Sequence, residues 1–278
     1  MSDNWILQNI SKALQIWNEK LAEILELLYM PLQNFRNGVI WNVILTVHSS
    51  LQAVGFALLV LFFQLGILNT SGSHAELKRP ETVLKAFFRF AAAKAAVTYS
   101  MDILQAIMQI GQGINSRMLG PDGFVLNGYD GIPQELEQAV ENCGFLESVP
   151  LWAVTLIGGL IVWVLSFLMI LDVYGRFFRI YLYMAIAPVP LSAFAGEPTQ
   201  SMGIGFLRSF AAVCLEGAVT ALSCVIFSAY ASSPPTVDPA AAPAAMVWSW
   251  YGELIFDMLI LVGTVRLSDR VVREITGI

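Results

Sequence analysis

From Pro150 to Leu171 the chain reads PLWAVTLIGGLIVWVLSFLMIL, 22 residues without one charged side chain. About 20 apolar residues suffice for a helix to cross the ~30 Å hydrocarbon core of a bilayer. No water is available there to satisfy a bare backbone, so such a run is read as a membrane helix. Three further runs, 39–68, 204–230 and 246–265, have the same character. Composition agrees: 56% of the 278 residues are hydrophobic and 13% are charged, against about 25% charged in soluble domains. The mean hydropathy is +0.66. The expected fold class is therefore an all-α polytopic membrane protein.

Residues 1–38 differ. Ile10, Leu14, Trp17, Leu21, Ile24 and Leu28 recur at spacings of three and four, with Lys12, Glu19, Glu23 and Glu26 off that stripe. This is an amphipathic helix, too polar to span alone. It is expected to lie flat on the membrane or to pack on a partner helix. No basic stretch followed by a continuous apolar core precedes it, so the first span is expected to act as its own insertion signal.

A first membrane pair covers 39–118: a span at 39–68 and a longer helix at 82–118. The loop 119–149 carries Asp122, Asp130, Glu135, Glu137, Glu141 and Glu147 and no Lys or Arg. Its second half reads as one short helix. A membrane core follows at 150–230, broken at Pro188 and Pro190. Then come a Pro/Ala linker at 231–245 and a last span with a basic tail at 246–278. Trp248, Trp250 and Tyr251 form an interface belt at the start of that span. Lys and Arg near the span ends assign sides. Lys78, Arg79, Lys85, Arg89 and the tail Arg266, Arg270 and Arg273 mark the cytoplasm; the acidic loop and the linker lie outside. These assignments agree with five crossings, N-terminus outside and C-terminus inside. Six crossings, the alternative, would leave the basic tail outside. With five, Arg176 and Arg179 sit at a cytoplasmic edge. The prolines then turn IYLYMAIAPVPLSAF into a re-entrant or interfacial segment.

Polar residues inside the spans are the candidate functional positions. Lys94, Thr98, Asp102, Gln105, Gln109, Gln112 and Ser116 follow spacings of 4, 4, 3, 4, 3 and 4. They make one face about 33 Å long, a full bilayer core. A lipid-facing helix would not tolerate it, so this face is expected to line a lumen or a subunit interface. Glu216, Glu253 and Asp257 are further intramembrane charges, with Arg208, Thr220, Ser223 and Thr264 beside them in sequence. Asp172 and Arg176, four apart, are expected to pair on one helix face. Ala91/Ala95, Ala92/Ala96 and Gly217/Ala221 are small pairs suited to close helix approach.

Several classes of chemistry have no motif here. There is no GxxxxGK[ST] and no HExxH. His48 and His74 have no second ligand or nucleophile at a recognisable spacing, and Cys143, Cys214 and Cys224 form no zinc or disulfide pattern. No enzyme activity and no cofactor are expected.

The segment VYGRFFRIYLYMAIAPVPLSAFAG, followed by GIGFLRSFAAVCLEGAVTALSCVIFSAY, resembles the TrbL family, polytopic membrane subunits of type IV secretion and conjugation machines. The likeness is to the short forms of Gram-positive conjugative elements. The shared features are a basic-aromatic helix end, an AIAP break with a second proline, and an FL(R/K)S span. The resemblance implies a channel or scaffold subunit passing a DNA–protein substrate across the bacterial cytoplasmic membrane. It implies membrane subunits and cytoplasmic ATPases as partners, a homo-oligomer, membrane lipid around it and transient contact with DNA. No catalytic residue carries over. A small-solute secondary transporter using Lys94, Asp102, Glu216, Glu253 and Asp257, and a structural anchor holding a partner by the 5–30 helix, are the competing readings.

Overall fold

A computed structural model describes residues 4–70, 80–119, 131–231, 235–238 and 240–277. Among these, all regular structure is helical. Nine α-helices follow in chain order: α1 (Trp5–Tyr29), α2 (Val39–Thr70), α3 (Pro80–Thr98), α4 (Ser100–Leu119), α5 (Gln134–Glu141), α6 (Phe145–Ile186), α7 (Pro188–Ser192), α8 (Gln200–Tyr230) and α9 (Pro243–Thr276). Lys78, Arg79, His74, Asp122 and Asp130 lie outside the described residues. Four segments are long and apolar enough to cross a membrane: Leu32–Asn69, Ser148–Ile186, Gln200–Tyr230 and Pro243–Thr276. The chain is thus an all-α, multi-pass membrane protein. The α3–α4 segment does not reach that apolarity, because Lys85, Arg89, Lys94 and Asp102 dilute it.

The chain forms two compact units. The first contains residues 1–29, 115–174 and 219–268. In it, the apolar stripe of α1 is covered by the chain itself. Ile10, Trp17 and Ile24 are fully buried, and Ile6, Leu7, Leu14, Leu21, Leu27 and Leu28 nearly so. The expectation of a helix lying flat, or holding a partner by this stripe, is therefore corrected: its apolar face is already occupied. The Trp5 and Trp152 rings lie 5.9 Å apart, and the Tyr174 hydroxyl donates to Glu23 Oε1 at 3.2 Å. Asn4 Nδ2 donates to the Val140 carbonyl at 3.4 Å, which sets the start of α1 beside the end of the acidic α5. A Cβ on Gly158 would come within 2.7 Å of the Tyr251 ring, so only glycine admits α9 so close to α6 here.

The second unit contains residues 30–114, 175–218 and 269–278. Here α2 and α3 are antiparallel neighbours: Gln52 Nε2 donates to the Val97 and Thr98 carbonyls, each at 3.1 Å, and the Phe63 and Phe90 rings lie 4.8 Å apart. The 200–218 part of α8 joins them. A Cβ on Gly111 would meet the Cys214 carbonyl at 3.1 Å, so α4 and α8 touch backbone to backbone. The Gly217/Ala221 pair is buried, whereas Ala91, Ala92 and Ala95 are exposed. Only the first of those small pairs is used inside the chain.

Two helices differ from their expected limits. The helix expected over 82–118 is interrupted at Tyr99. At that point Gln52 and the Ser100 hydroxyl (2.8 Å to the Val97 carbonyl) compete for helix acceptors. Bonds from Tyr99 N to Ala95 O and from Ile103 N to Tyr99 O carry the helical register across. The span expected over 150–171 instead continues as one helix of 42 residues to Ile186. Nothing in IYLYMAI breaks a helix, so the re-entrant piece shrinks to α7 and one 3₁₀ turn at Ala193–Ala195. The stop comes at Pro188 and Pro190, which offer no N–H to the carbonyls of Met184 and Ile186.

Candidate functional site

The polar stripe of α3–α4 is turned away from its own chain. Lys94, Thr98, Asp102, Gln109 and Ser116 are exposed, and Gln105 and Gln112 half-buried. The face that packs inside is one step round the helix: Ala93, Val97, Ser100, Leu104, Met108, Gly111 and Asn115, all buried. Among the described residues neither Lys94 nor Asp102 has an ion-pair partner, while the Thr98 hydroxyl donates back to the Lys94 carbonyl at 2.8 Å. A charge left in the middle of a bilayer costs at least about 2.5 kcal/mol on insertion scales. This face therefore requires a polar neighbour that the chain does not itself provide.

The other intramembrane charges divide into neutralised groups. Asp172 pairs with Arg266 at 2.8 Å. The expected Asp172–Arg176 pair is therefore replaced by one between helices. Arg176 is buried, with its guanidinium carbon 5.4 Å from the centre of the Phe177 ring and its Nε without a hydrogen-bond partner. Arg179 bridges two helices, with Nη2 2.5 Å from Glu216 Oε1 and Nη1 2.9 Å from Asp269 Oδ1. Asp269 also holds Arg273 at 3.1 Å, one helical turn on. The result in the second unit is a knot of α6, α8 and α9. In the first unit Asp257 is buried and hydrogen-bonded to Tyr230, while Glu253 is exposed. Thr220 and Ser268 pair at 3.4 Å, whereas Arg208 is exposed and the Ser223 and Thr264 hydroxyls bond back to their own helices. These charges serve packing between helices.

The proline break is tied to a residue that sequence reasoning set aside. The Met184 carbonyl would normally accept from the N–H of residue 188, which is a proline. Instead, His48 Nδ1 lies 2.7 Å from that carbonyl. A carbonyl only accepts, so Nδ1 carries the proton. Nε2 lies 3.0 Å from the Ser100 hydroxyl. One buried imidazole thus joins α2, α4 and the end of α6. The only sequence signal for it was a lone histidine in the middle of a span, and nothing in the sequence says which carbonyl lacks a donor. Two glycines complete the seam. A Cβ on Gly55 would lie 2.8 Å from the Pro188 carbonyl, and one on Gly196 would lie 2.6 Å from that of Phe62. Leu59, between them along α2, is buried. Beyond the turn, Arg89 Nη1 meets Glu197 at 3.1 Å. Among the described residues no cluster of His, Cys, Asp or Glu is placed to hold a metal.

Comparison with curated proteins finds no match. The profile of one family, described as TrbL/VirB6 plasmid conjugal transfer like protein, matches residues 18–188. The match begins within α1, takes in the polar stripe and ends at Pro188. The FLRS span, on which part of the resemblance was read, lies beyond it. Coverage exceeds half of the chain, and the helices that carry the stripe, His48 and both arginines fall inside it: the chain belongs to the TrbL/VirB6 family of conjugal transfer proteins.

Proposed function

We propose that this chain is a core membrane subunit of a type IV secretion machine, building a hydrated passage for a DNA–protein substrate together with further copies of itself. Family membership supplies the machine. The observation that carries the passage is the outward-facing stripe from Lys94 to Ser116, which is as long as the membrane is thick and leaves Lys94 and Asp102 without an ion-pair partner among the described residues. Neighbouring copies that set such stripes around one axis give every polar group water or a polar contact. The chain brings no ATP-binding motif, so the energy comes from cytoplasmic ATPases of the same machine. Other membrane subunits complete the assembly, and DNA touches the stripe only in transit. The N-terminus and the acidic loop face outside, and the basic tail faces the cytoplasm.

The test is a donor mating assay on an in-frame deletion complemented with wild type, Asp102→Leu or Gln109→Leu, with membrane levels followed by immunoblot. Wild type restores transfer, while both variants reach normal levels and lose at least about tenfold in transfer, as expected if a stabilising contact of ~1.4 kcal/mol is lost. Unimpaired transfer from both variants refutes the stripe. Unimpaired transfer from the deletion refutes the role in conjugation.

A further inference from the structure

We infer that α1 is embedded at the depth of the bilayer and that its hydrophilic face borders water. Contacts within the first unit fix its course. The Trp5 ring lies against Trp152, a Cβ on Gly159 would lie 3.7 Å from that of Ala13, and Tyr174 donates to Glu23. Residue numbers rise together along both helices, so α1 runs parallel to α6 from 152 to 174, a distance of about 33 Å. That part of α6 carries no charge before Asp172. The side of it that no other helix covers exposes Leu156, Ile157, Leu160, Trp163 and Phe167. A row of large apolar side chains this long is stable in lipid. The helix packed along its length lies at the same depth.

The outer side of α1 is of the opposite kind. Gln8, Lys12, Gln15, Glu19 and Glu26 are exposed and follow one another at helical spacing. Gln15 Nε2 donates to Glu19 Oε1 at 2.8 Å, a bond made along the helix and not to a neighbour. A groove of about 570 Å³ follows this face, lined by Ser11, Gln15, Asn18, Glu19 and Ala22. Its polar lining cannot be given over to hydrocarbon, and its size admits many waters. A helix with one apolar and one charged side is stable at membrane depth when the first meets protein and the second meets water. Water is therefore the occupant, and α1 contributes a second hydrophilic wall besides α3–α4. The inference rests on α6 crossing the membrane and not on what the machine carries.

The test uses the full-length chain in its own cells, with Cys143→Ser and the buried Cys214 and Cys224 left in place. Ala13→Cys with Gly159→Cys should form a disulfide on mild oxidation, since their Cβ separation falls in the bonding range. Gln15→Cys and Glu19→Cys should react with a charged, membrane-impermeant maleimide in opened membrane vesicles. Leu160→Cys should react only with a lipid-soluble one. If the disulfide does not form, α1 is not where it is placed here and the inference falls. If it forms but Gln15→Cys and Glu19→Cys are protected like Leu160→Cys, the face is covered and the hydration is refuted. If Leu160→Cys also reacts with the charged reagent, α6 is outside the bilayer and the depth is refuted. Disulfide formation itself reports that the variants fold. Mating the same cells separates the two proposals: labelling without any dependence of transfer on the chain sustains this inference and refutes the conjugative one.

Discussion

Replacing Glu216 by Gln is the sharpest test of how the charged knot holds. Glu216 is 8% exposed and faces Arg179, which is 33% exposed, while Arg176 lies buried one turn back on α6. The change keeps volume and removes one negative charge, leaving Arg176 and Arg179 with Asp269 as the remaining acid of the knot. Removing one partner of a buried pair costs about 3–5 kcal/mol. Because Arg179 is partly solvated, the lower end applies, about 3 kcal/mol. For a chain of this size each kcal/mol moves the melting midpoint by roughly 2–4 °C, so the fall should be roughly 6–12 °C. The assay is thermal unfolding of the detergent-purified protein followed by fluorescence-detected size exclusion. Arg176→Met should cost under about 1 kcal/mol or stabilise, since a buried cation with an unpartnered Nε becomes an apolar side chain of similar length. Combining the two should recover much of what Glu216→Gln loses. A midpoint shift below about 2 °C for Glu216→Gln, or a double variant no better than the single, refutes the charge balance drawn here.

Two further outcomes follow from the proline seam. His48→Leu should destabilise by about 1–3 kcal/mol, the cost of leaving the Met184 carbonyl buried without a donor. Pro188→Ala restores the backbone N–H, so it should make His48→Leu nearly harmless; additive losses in that double-mutant cycle refute the coupling. Gly55→Ala places a Cβ 2.8 Å from the Pro188 carbonyl and should cost about 1–3 kcal/mol by overpacking. Gly252→Ala in α9, with nothing within 4 Å of its Cβ, should stabilise by about 0.4–1 kcal/mol. Equal melting midpoints for the two alanine variants would remove the steric argument.

What the sequence determined by itself is what depends on the medium and on helical period. The uncharged run 150–171 required a membrane, because backbone polarity leaves few structures possible in lipid. The stripes of α1 and α3–α4 were legible because 3.6 residues per turn align positions three and four apart. Pro188 and Pro190 marked the break because a missing N–H acts locally. Three things were decided only by tertiary structure. Asp172 pairs with Arg266 and not with Arg176, since a carboxylate takes whichever cation its neighbours bring close. The apolar face of α1 is buried on its own chain because α6 offers glycine and alanine where the helices meet. The role of His48 depended on which carbonyl a distant proline had released. Such contacts join residues more than a hundred positions apart, and no local pattern encodes which two will meet.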